Sequence, residues 1–70
     1  MNLTQLQAAI AAAGGIEKIK IWSLASAKYF DARRYGTVTL DTTNEYLKLV
    51  DNENGNTSFV PVAMIEFVDY

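Results

Sequence analysis

The chain has 70 residues, half of them hydrophobic, with a formal net charge of -2 and neither cysteine nor histidine. Without cysteine there are no disulfides, zinc ribbons or thiol chemistry, and without histidine the commonest metal ligand and general base are missing. A single domain of this size sits near the lower limit at which a chain buries a self-sufficient core, so strand pairing and oligomerisation are expected to brace it.

In chain order, Asn2 is placed to cap a helix, with Gln5 three residues on and Met1 and Leu6 at the two positions of a hydrophobic staple. Leu3, Leu6 and Ile10 form a narrow apolar stripe, and Gly14-Gly15 supplies the stop, so a helix is predicted over residues 1–15. Ile16 then stands where it can fold back on Ile10. Ile19 and Ile21 alternate with Lys18, Lys20 and Trp22, the period-two pattern of a first strand. Over residues 26–35, "SAKYFDARRY", the alternation is lost, and a short helix and an irregular loop both fit.

Strands two and three are "GTVTLD" and "EYLKLV", joined by the turn-prone Thr42-Thr43-Asn44. Asn54-Gly55 offers the positive φ angles of a tight hairpin before strand four, Thr57 to Val60. Pro61 has no amide hydrogen and suits a strand end, so "PVAM" is predicted to be a single tight turn before strand five, Ile65 to Val68.

The order of these elements, with "GTVTLD" and "FVPVAMIEFV", resembles the Sm-like small barrel of Sm, Lsm and Hfq proteins, and YolD-like proteins have a similar ending. The resemblance implies a mainly β (α+β) single domain: an N-terminal helix over 1–15, then a five-stranded Sm-like or SH3-like small barrel over 16–70. It also implies fourth and fifth strands that pair between subunits to make rings. The stretch between strands one and two is longer than in that family, and neither RNA-contacting motif of the family matches here, so RNA binding does not follow from the resemblance. Some Sm-like proteins bind protein instead, the acidic inhibitor of the termination factor Rho among them.

Charge divides the chain. Residues 1–40 carry five cations against two anions, a net +3, while residues 41–70 carry one cation against six anions, a net -5. General coating of DNA is therefore not expected, although the first half can attract phosphate. Within that half, Lys28, Tyr29, Arg33, Arg34 and Tyr35 combine guanidinium groups that bind phosphate with rings that stack on bases, and they form the candidate ligand site. The plainer reading is a solvated loop whose aromatics are partly core. Trp22, Phe59 and Phe67 are candidate interface residues; for Trp22 a second core under the helix or a subunit contact is expected ahead of stacking on a ligand.

No catalytic residue, metal or cofactor is expected. "DNENG" is similar to a calcium loop, but its glycine falls one place early and Val62 occupies the position that needs a bidentate glutamate. The expected role is a non-catalytic, oligomeric, cytoplasmic protein holding a nucleotide or short RNA. Its rival is an acidic inhibitor of a host nucleic-acid-binding enzyme, of the viral counter-defence type, in which Asp51, Glu53, Glu66 and Asp69 imitate a nucleic-acid surface.

Overall fold

Asn2 and Gln5 close a reciprocal cap: the Asn2 side chain accepts the Gln5 N–H at 2.8 Å, and Gln5 Oε1 accepts the Asn2 N–H at 2.9 Å. Such a cap contributes about 1 kcal/mol. Helix α1 runs Leu3–Ala13 in a computed structural model that describes all 70 residues. Gly14, at φ +90°, ends it: the Gly15 N–H reaches the Ile10 carbonyl and the Gly14 N–H the Ala11 carbonyl, the paired bonds of a Schellman stop. Leu6 is fully buried, and Leu3, Ile10 and Ile16 pack partly buried against the same core. The helix lies over two 3-10 turns, Ile16–Lys18 and Val62–Met64.

Six strands follow: β1 Lys20–Ser23, β2 Lys28–Asp31, β3 Thr37–Asp41, β4 Tyr46–Val50, β5 Thr57–Pro61 and β6 Ile65–Asp69. They form two three-stranded antiparallel sheets, one in the order β2-β1-β6 (sheet A) and one in the order β3-β4-β5 (sheet B). This corrects the expected five-stranded closed barrel. The five expected strands are all present, but β1 and β3 share no ladder, so the strands divide between two sheets, and a sixth strand, β2, occupies part of the stretch read as helix or loop and pairs with β1 instead. Two features hid β2. Only Phe30 of its four residues is buried, so no alternation shows, and its hairpin with β1 turns through Ala27 at φ +50°, a conformation for which alanine gives no signal.

Between β2 and β3 the chain makes a 3-10 turn, Ala32–Arg34, tied to the residue just before β1 by the Ala32 N–H donating to the Ile19 carbonyl at 2.9 Å. Pro61 is the last residue of edge strand β5, and the Val62–Met64 turn is the one-turn corner predicted there. The core draws on both sheets and the helix: Ile19, Ile21, Phe30, Ala32, Leu47, Leu49, Val60, Val62 and Ile65 form one buried cluster with Leu6.

The β4–β5 connection differs from a two-residue hairpin. Asp51 and Asn56 pair through the Asp51 N–H and Asn56 carbonyl at 2.8 Å, the Gly55 N–H returns to the Asp51 carbonyl at 2.9 Å, and only Gly55, at φ +73°, is left-handed. A Cβ at Gly55 would meet nothing within 4 Å, so the cost of a side chain there is conformational and not a clash. Gly55→Val is expected to destabilise the domain by about 1 kcal/mol or more, read as a lowered thermal midpoint. An unchanged midpoint would show that the left-handed turn is not required.

Candidate functional site

Because Ile21 and Ser23 of β1 point into the core, Lys20 and Trp22 must point out. Antiparallel registers on both sides then build two cross-strand rows on the outer face of sheet A: Asp31–Lys20–Asp69, and Tyr29–Trp22–Phe67. The second row is a continuous aromatic surface. Trp22 meets Tyr29 edge-on with centroids 4.8 Å apart and lies nearly parallel to Phe67 at 6.2 Å, while Tyr29 and Phe67 are 5.9 Å apart. Tyr29 and Phe67 are 44% and 42% exposed. A bulge beside Trp22 and Ser23 leaves Glu66 without a pairing partner and sets Phe67 opposite Trp22.

Lys20 links this row to a cleft. Its Nζ lies 4.4 Å from the Tyr29 ring centroid, a cation–π contact. The open cleft, of about 410 Å³, is lined by Lys20, Tyr29, Asp31, Arg34, Tyr35 and Asp51, and it sits where β2 passes through the Ala32–Arg34 turn towards sheet B. Asp51 comes from the β4–β5 loop. That loop is held against the turn by the Gly36 N–H donating to the Val50 carbonyl at 3.0 Å and by the Asn52 side chain, which fills the space a Cβ on Gly36 would take.

The charges in the cleft are not equivalent. Arg33 turns back on Asp31, donating from Nε to Oδ1 at 2.9 Å and from a terminal nitrogen to Oδ2 at 2.8 Å, a bidentate pair. Asp31 Oδ1 also accepts the Arg33 N–H at 3.1 Å and so caps the turn. The hydrogen bonds from the Arg33 side chain lower the Asp31 carboxyl from its ordinary 3.8 to about 2, against a smaller upward push from burial. Asp31 is thereby neutralised by a partner outside the cleft lining, which leaves Lys20 and Arg34 facing Asp51.

Of the five candidate ligand residues, the structure gathers Tyr29, Tyr35 and Arg34 in the cleft. Arg33 is engaged with Asp31, and Lys28 stands at the far end of β2 with its Nζ 4.8 Å from the Phe30 ring centroid. Trp22 and Phe67 join Tyr29 on one face, whereas Phe59 is on sheet B, 58% exposed and edge-on to Tyr46 at 5.2 Å. Sequence reasoning did not place Lys20 or Asp31 at the ligand site and gave Asp51 only to the rival inhibitor surface. The period-two spacing of Lys20 and Trp22 on β1 was a signal for the first, but nothing local foretold that Asp51 would line the same cleft as Arg34.

The depressed Asp31 pKa sets a pH dependence. The pair's contribution to stability is fully present above about 3.8 and is lost as the pH falls through about 2. Arg33→Ala should return the Asp31 carboxyl towards 3.8, read by NMR titration of the side-chain carboxyl. An Asp31 that already titrates at its ordinary value in the parent chain would refute the bidentate pairing.

Comparison with known proteins finds no matching family model and no significant match among curated proteins or solved structures, so the chemistry of these side chains alone points to a role.

Proposed function

We propose that the chain is a non-catalytic binding module that takes a nucleotide or short single-stranded RNA on the outer face of sheet A and in the adjoining cleft. One observation carries this reading: Tyr29 belongs both to the exposed aromatic row and to the lining of a cleft that holds Lys20 and Arg34. Aromatic residues on neighbouring strands of an open sheet offer stacking surfaces to unpaired bases, each worth about 1–3 kcal/mol. A guanidinium and an ammonium at the row's edge suit the phosphate that such a base carries.

The rival inhibitor reading draws less support from the geometry. Asp51 shares the cleft with Lys20 and Arg34, Asp51 Oδ1 accepts the Glu53 N–H at 2.8 Å, and Asp69 stands opposite Lys20 in the β1–β6 register. These carboxylates are interleaved with cations and do not make an unbroken acidic surface.

Trp22 is the one tryptophan of the chain and sits in the middle of the row, so its fluorescence reports occupancy directly. Titration with nucleotides and short single-stranded RNAs should change that emission, and the affinity should fall with added salt. Tyr29→Ala should weaken binding by about 1–3 kcal/mol, and Arg34→Ala with Lys20→Ala should remove the salt dependence, while Arg33→Ala has the smaller effect. No binding to any member of the panel would sink the reading.

Assembly belongs to the same proposal. Strands β5 and β6, the two expected to join subunits, are edge strands here, and Phe59 and Phe67 stand exposed on them. An unpaired edge with apolar side chains seeks a partner strand. Light scattering coupled to size exclusion should therefore return a mass above the monomer's 7.8 kDa, reduced by Phe59→Lys. A monomeric mass at micromolar concentration would refute the assembly without touching the ligand reading.

A further inference from the structure

We propose that Asn54 is a site of spontaneous covalent modification, deamidating through a cyclic imide to aspartate and isoaspartate. In this reaction the Gly55 backbone nitrogen gives its proton to solvent base and attacks Asn54 Cγ. The new C–N bond closes the imide, the side-chain amide takes up a proton and leaves as ammonia, and one water then opens either imide carbonyl. No oxidant, metal or enzyme enters the balance.

Three features converge on this residue. Asn54 is the one asparagine followed by glycine; Asn2, Asn44, Asn52 and Asn56 precede Leu3, Glu45, Glu53 and Thr57, whose side chains crowd the attacking nitrogen. Asn54 and Gly55 are both exposed, and the space beside the Gly55 Cα is open, with no atom within 4 Å of a Cβ built there. The Asn54 side-chain oxygen already accepts the Asn56 N–H at 2.9 Å. That bond polarises Cγ towards attack and stabilises the charge that gathers on the oxygen as the ring closes, as an oxyanion donor does.

One contact restrains the reaction. The Gly55 N–H is donated to the Asp51 carbonyl at 2.9 Å and must be released before the nitrogen can turn on Cγ. Exposed loops open at low free-energy cost, so the contact slows the attack without preventing it. The product adds a carboxylate to the loop that brings Asp51 to the cleft, and the isoaspartate form also lengthens the backbone between the paired Asp51 and Asn56.

The test is to age the purified protein in warm, mildly alkaline buffer and follow it by mass spectrometry. Trypsin releases residues 49–70 as one peptide, within which fragmentation separates Asn52, Asn54 and Asn56. The expected result is the mass gain of an NH2-to-OH exchange at Asn54, appearing before any gain at the other asparagines, with isoaspartate labelled by an isoaspartyl methyltransferase. Gly55→Ala should slow the gain in protein that circular dichroism shows to be folded, and Asn54→Gln should abolish it. No gain at Asn54, or an equal gain at Asn52 or Asn56, would overturn the proposal.

Discussion

Ile21 faces Phe30 on one side and Val68 on the other, and burying that row makes β1 the central strand of sheet A. Removing an isoleucine-sized side chain from water is worth about 1.5–3 kcal/mol, and a slip of one residue would turn it out and Trp22 in. Register is therefore set by the core, and the outer face is its consequence. Once Ile21 is inside, Lys20 and Trp22 have no choice but to face solvent, and antiparallel pairing brings Tyr29, Phe67, Asp31 and Asp69 beside them. The candidate site is the reverse side of the strand that anchors the fold.

The second constraint is how sheet A gives way to sheet B. Ala32 is almost fully buried and pinned to the Ile19 carbonyl, so the chain must turn at the end of β2, and Asp31 satisfies the first free amide of that turn. The same carboxylate holds the Arg33 guanidinium. A single side chain thus shapes the junction and consumes one of two neighbouring arginines, which leaves Arg34 free to line the cleft. Two consecutive cations in the sequence become, in three dimensions, one structural pair and one open charge.

Those two constraints explain what the sequence disclosed. The helix was legible because its caps are local: Asn2 needs only Gln5, and Gly14 only the last carbonyls of its own helix. Strands β1, β3, β4, β5 and β6 were legible because each buries alternate side chains, as Leu47 and Leu49 do in β4. Strand β2 was hidden because its evidence lies in its partner. Phe30 acquires meaning only opposite Ile21, and Ala27 adopts a left-handed turn that the hairpin imposes on it. The barrel failed for a similar reason: it needs β1 and β3 in one ladder, but β2 takes that edge of β1, and no pattern within β1 or β3 reports it. Half of the site was visible as an aromatic and basic cluster at residues 28–35, while its division between pair and cleft, and the arrival of Asp51, are tertiary facts.

The aromatic row also bears on stability. Sheet A has strands of only four and five residues, so its ladder is short, and cross-strand aromatic pairs contribute about 0.2–1 kcal/mol each to such a sheet. Trp22 is flanked on both sides and couples β2 to β6 through β1, so a change there disturbs fold and surface together. Tyr29 is different: it lies on edge strand β2, is more exposed than Trp22, and pairs in the ladder with β1 alone. The cleft opens beside the row's most exposed member, next to a lysine that lies over the ring and an arginine that no carboxylate of the chain holds in an ion pair, an arrangement that bracing the sheet does not require. The coincidence of exposure, cation and ring at Tyr29 is what supports the proposed ligand-binding role over a purely bracing one.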